Sequence, residues 1–100
     1  MSDRIIEMPS EAAMISLAAS LRARVAIYYV ADSARKAEVE ALLPNQFVAV
    51  FESSRLRAFT AKYIFMERVV DPWEGREGDL AELAAMRTAT YPGGLVFVLR

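Results

Sequence analysis

Glu67 and Arg68 close an apolar run at residues 63–66, and a charged pair placed beside Met66 and Val69 must reach water or meet partners. A carboxylate in that position is a candidate general acid or base. The chain contains no histidine and no cysteine. The readiest base near neutral pH is therefore missing, as are thiolate chemistry and the commonest ligands of zinc, copper and non-haem iron. With no second carboxylate in register, Glu67 is expected to form a strand-end salt bridge, and no catalytic residue, metal or cofactor is assigned.

Three other groups of residues have types suited to binding. Ser10, Asp32, Ser33, Ser53, Ser54 and Arg55, with Trp73, follow or adjoin apolar runs, where a small anion or nucleotide finds helix N-termini in parallel α/β proteins. Helix capping demands the same serines and aspartate, and it is the reading favoured here. Arg55, Arg57 and Lys62 are interleaved with Phe59 and Tyr63, a combination able to touch single-stranded nucleic acid. Glu52 and Glu67 flank that group and the net charge is −1, so a solvated surface with ordinary ion pairs is the stronger expectation. The third group is the loop at residues 71–78, which holds the chain's one tryptophan, Trp73, among Asp71, Glu74 and Glu77. An aromatic anchor with a polar rim suits a protein interface, whereas a Trp73 folded back onto the core would serve packing alone.

The elements that must position these groups follow from local pattern. Residues 5–8 are a short apolar run closed by Pro9, with Ser10 as the cap of a helix over 11–22 in which Met14, Leu17, Ala18 and Leu21 recur at helical spacing. Residues 25–31 read VAIYYVA, an unbroken apolar run of β-branched and aromatic types that predicts a strand buried on both faces. Asp32-Ser33 then caps a helix whose apolar face is expected to be Ala34, Ala37, Ala41 and Leu42, ending before Pro44. Residues 47–51 (FVAVF) give a third strand, 63–66 a fourth and 95–99 a fifth. Before the last strand, Asp79 and Glu82 form a capping box for a helix with Leu80, Leu83 and Ala84 on one face, and Pro92-Gly93-Gly94 ends it.

Alternation of this kind predicts one α/β domain over residues 1–100, with a small, mostly parallel four- or five-stranded sheet and helices on both faces. The competing arrangement is α+β, with one long helix at about 54–70, because periodicity alone does not separate the two there. The longest apolar runs fall well short of a membrane span and the first residues lack the order of a signal peptide, so a cytoplasmic protein is expected. At 100 residues, a hydrophobic share of 55% exceeds the usual fraction and predicts either a large core or apolar surface covered by a partner.

The succession of a strand like VAIYYVA, a helix like DSARKAEVEALL and a later segment like SSRLRAFTAKYIFMER resembles the Rossmann-like nucleotide-hydrolysing core of helicases and phage packaging motors. The resemblance spans residues 5–99 as a pattern, and its motif-like part is 54–68. Such cores place a G-x-x-x-x-G-K-[ST] phosphate loop between first strand and first helix, but residues 8–14 here read MPSEAAM, with no glycine and no lysine. Where the family has two acids after four apolar residues, this chain has Glu67 and then Arg68. The resemblance thus implies a degenerate, catalytically inactive relative. Together these features predict a non-enzymatic interaction protein, an adaptor, inhibitor or assembly factor of the kind phages and mobile elements encode. It would bind another protein or itself through Trp73, Asp71 and Glu74. The alternatives are a small-ligand or nucleotide module at the strand rim, and a nucleic-acid accessory using Ser53, Ser54, Arg55 and Arg57.

Overall fold

The computed structural model describes residues 4–21, 26–43, 48–50, 60–68 and 80–99. Among the described residues, eight elements follow one another: β1 (Ile5–Glu7), α1 (Glu11–Leu21), β2 (Ala26–Tyr29), α2 (Ser33–Leu42), β3 (Val48–Val50), β4 (Tyr63–Met66), α3 (Leu80–Thr88) and β5 (Leu95–Val98). The strands form one five-stranded sheet in the order β1-β5-β4-β2-β3, and every pairing is parallel. The expected small parallel α/β architecture is the one observed. The long helix at 54–70 is not: residues 63–66 are the central strand. An unbroken run of bulky apolar side chains suits a strand covered on both faces, whereas a helix would have turned part of that run to water.

Alternate residues of each strand serve opposite faces. On one face Tyr28, Phe65, Phe97, Ala26 and Val30 pack against Met14 and Ala18 of α1 and against Val39 and Leu43 at α2. On the other, Ile27, Tyr29, Ile64, Met66, Val96 and Val98 pack against Leu80, Ala81, Ala84 and Ala85 of α3. Helices therefore cover both faces. Register places Tyr28 opposite Phe65 and Phe65 opposite Phe97, so three rings on adjacent strands form a row. Their centroids lie 5.7 and 5.0 Å apart with planes 15° and 16° from parallel.

The caps at α1 and α2 form as the sequence predicts. Ser10 Oγ accepts from Ala13 N at 3.1 Å, and Asp32 Oδ1 accepts from Arg35 N at 2.8 Å. The buried stripe of α2 does not. Ala34, Ala37, Ala41 and Leu42 are exposed, while Val39 and Leu43 are buried. The cap at Asp32 fixes where the helix starts, and Val39 and Leu43, four residues apart and so on one face, are the pair that packs with Ala26, Tyr28 and Val30 of the sheet.

The turn from α3 into β5 depends on two glycines. Gly93 has φ +73°, and at Gly94 a Cβ would stand 2.5 Å from the carbonyl oxygen of Thr88. Among the described residues, no helix is long and apolar enough to cross a membrane.

Candidate functional site

After β2 the chain passes through α2 to β3 on one side, and after β4 it passes through α3 to β5 on the other. The connections diverge between β2 and β4, and their carboxyl ends flank the crevice where ligands gather in open parallel sheets. Glu67 stands there, immediately after β4, its backbone N–H donating to Tyr29 O at 2.9 Å and so prolonging the ladder by one bond.

The Glu67 side chain is 4% exposed and that of Arg35, from the first turn of α2, is 20% exposed. Arg35 grips the carboxylate with two donors, Nε to Oε1 at 2.7 Å and Nη2 to Oε2 at 2.8 Å. Tyr28 Oη donates to Oε2 at 2.6 Å, its ring stacked on Phe65 one strand away. Two exposed carboxylates complete the group: Arg35 Nη1 donates to Glu38 Oε2 at 2.9 Å, and Nη2 lies 3.4 Å from Glu11 Oε2. The cluster thus ties α1, α2, β2 and β4 together at one point.

Electrostatically, three carboxylates surround one guanidinium. The hydrogen bond to Glu67 raises Arg35 above its already high ordinary value, so it stays charged at every accessible pH. Burial, and then the hydrogen bond to Glu67, pushes the Tyr28 phenol far above the ordinary tyrosine value of 10.0. With the folded value raised, the stability Tyr28 contributes is complete below about pH 10 and is lost as pH climbs beyond it, because unfolded chains ionise there first. Ultraviolet titration of the wild type against Tyr28→Phe is expected to show one phenol that ionises only on unfolding. A Tyr28 signal titrating near pH 10 in the folded protein would contradict this.

Both oxygens of Glu67 are occupied by hydrogen bonds, which makes it the anchor of a clamp. The strand-end salt bridge expected for Glu67 is present, and its partner is Arg35. Neither Arg35 nor Tyr28 was singled out by sequence. The available signals were an arginine three residues past a helix cap at a strand's carboxyl end, and a tyrosine in a buried run whose hydroxyl needs a partner. Of the expected rim residues, Ser10 and Asp32 serve as caps, and Ser33 opens α2 beside them. Ser53, Ser54, Arg55, Arg57, Phe59, Asp71, Trp73, Glu74 and the Asp79 cap lie outside the described residues. Lys62 is described, with Nζ 5.4 Å from the centroid of the Tyr63 ring. Among the described residues, no group of three or more acids is arranged to hold a metal ion.

Fold and site define a small, doubly wound, all-parallel α/β protein with an internally paired acidic rim. In comparison with known proteins, the chain matches no family model, no curated sequence and no solved structure.

Proposed function

We propose that this protein is a non-enzymatic protein-interaction module, an adaptor, inhibitor or assembly factor. The observation that carries the reading is the occupation of the β2–β4 crevice by its own side chains. At the place where this architecture ordinarily receives a ligand, Glu67, Arg35 and Tyr28 are spent on one another, and Ser10 and Asp32 fill the two helix N-termini. The carboxylates of Glu11, Glu38 and Glu67 around Arg35 also count against a phosphate-bearing ligand there, which weakens the nucleotide-binding alternative.

Apolar surface supports the same reading. Met86 and Leu42 are 72% and 58% exposed. The anchor assigned by sequence is Trp73, with Asp71 and Glu74 as its polar rim. An aromatic anchor supplies about 2 kcal/mol or more of binding energy, so Trp73→Ala is expected to weaken association about 30-fold or more with the melting temperature preserved. Partner pull-down, light scattering and thermal melting of that variant decide the matter. A strongly destabilised variant whose folded fraction binds normally would defeat the interface reading.

A further inference from the structure

All five strands run the same way, so residues just before a strand share one edge of the sheet and residues just after it share the other. Among the described residues, three cations lie at the amino edge. Arg4 precedes β1 and donates through Nη1 to Thr88 O at 3.3 Å and Gly94 O at 3.1 Å. Arg87 lies in the last turn of α3 and accepts at its backbone oxygen from Ala61 N at 3.2 Å. Lys62 is the next residue, held at the start of β5 by the bond from Leu95 N to Lys62 O at 2.9 Å. Among the described residues, neither Lys62 nor Arg87 has a carboxylate within ion-pair distance, and Arg87 Nε is buried with no hydrogen-bond acceptor.

The carboxyl edge has the opposite character. Glu7 ends β1, Glu11 opens α1, Asp32 caps α2, Glu38 reaches back to Arg35 and Glu67 follows β4. Among the described residues, two guanidiniums, Arg35 and Arg68, stand against these five carboxylates, a formal balance of −3 facing the +3 of Arg4, Lys62 and Arg87 at the other edge. Glu11 and Glu38 are 61% and 64% exposed and therefore available to a neighbour. Lys36 and Glu40, on the flank of α2, pair with each other at 3.8 Å. A four-residue strand spans about 13 Å. That exceeds the Debye length of about 8 Å at physiological ionic strength, so the two edges do not cancel each other.

We propose that copies of this chain associate head to tail, the acidic carboxyl edge of one resting on the basic amino edge of the next. A nucleic acid would be opposed by the net negative charge of the chain, whereas a second copy presents the complementary charge in the same arrangement. Because the two edges differ, the contact is heterologous, and association continues past the dimer unless it closes into a ring. It is an electrostatic contact between solvated groups and weakens with salt. The proposal goes beyond the Trp73 interface and does not depend on it.

Sedimentation velocity across a concentration series tests it. Near 0.01 M salt the weight-average mass is expected to rise with concentration, and near 1 M salt the association is expected to weaken about tenfold or more, since the Debye length falls from about 30 Å to about 3 Å. Lys62→Glu with Arg87→Glu, and separately Glu11→Lys with Glu38→Lys, should each abolish self-association, and mixing the two variants should restore it. Melting curves verify folding. Lys62→Glu alone, which removes no hydrogen bond among the described residues, provides the test if the double variant fails to fold. A monomer at low salt, or assembly indifferent to both reversals, overturns the proposal. So does a monomeric wild type that binds a single-stranded oligonucleotide through Lys62 and Arg87. Loss of assembly in Trp73→Ala with the charge variants behaving as wild type sinks this proposal alone, whereas loss of assembly in the charge variants with Trp73→Ala assembling and capturing partners as wild type sinks the Trp73 reading alone.

Discussion

Replacement of Arg35 by leucine is expected to cost about 3 kcal/mol, a fall of about 12 to 24 °C in melting temperature for a domain of this size. The cause is the carboxylate left behind. Glu67 is 4% exposed and would keep only the Tyr28 hydroxyl, while Glu11 and Glu38 would lose the cation they share. Adding Glu67→Gln to Arg35→Leu should recover much of the loss, because the amide oxygen still accepts from Tyr28 and no buried charge remains unpaired. Urea unfolding of the two single variants and the double gives the coupling energy directly. If Arg35→Leu moved the midpoint no more than an exposed ion pair does, within about 1 kcal/mol, the clamp would not be holding these elements together.

Phe65→Ala should be more damaging still, at about 4 kcal/mol, with a fall of about 16 to 32 °C. Phe65 lies on the middle strand of five, is fully buried, and has Tyr28 stacked on one side and Phe97 on the other. The helices α1 and α2 seated on that row cannot collapse into the space without pulling away from Ala26, Val30 and the remaining rings. Against a total stability of about 5 to 15 kcal/mol, the variant would retain about 1 to 11 kcal/mol, folded but with a much smaller margin against heat. Phe65→Leu, which keeps most of the volume, should cost about 1.5 kcal/mol or less. Thermal melting distinguishes the two, and equal effects would mean that the stacked row is not a close-packed core.

What the sequence determined by itself is local. The caps at Ser10 and Asp32 are hydrogen bonds spanning three residues, so residue type and spacing suffice to place them. The apolar runs around Ala26–Tyr29, Tyr63–Met66 and Leu95–Val98 are too continuous for a half-solvated strand, which made a sheet covered on both faces legible before any contact was known. Where local signals competed they failed. Periodicity left residues 54–70 open between strand and helix, and Ala34, Ala37, Ala41 and Leu42 of α2 suggested a buried stripe that in fact faces water, because the way the helix is seated on the sheet, a property of the whole packing, turns Val39 and Leu43 inward.

Only the tertiary structure decided the rest. Arg35 and Glu67 are 32 residues apart, Tyr28 and Glu67 39, and nothing in either neighbourhood names the other. Their meeting depends on the order β1-β5-β4-β2-β3, which sets β4 against β2 although β3 comes between them in the chain. The charges show the same dependence. Along the sequence, acids and bases are interspersed and sum to −1, with no run to mark a surface. Parallel strands all point one way, so the residue before each strand goes to one edge and the residue after it to the other, and among the described residues a mixture in one dimension becomes a separation in three.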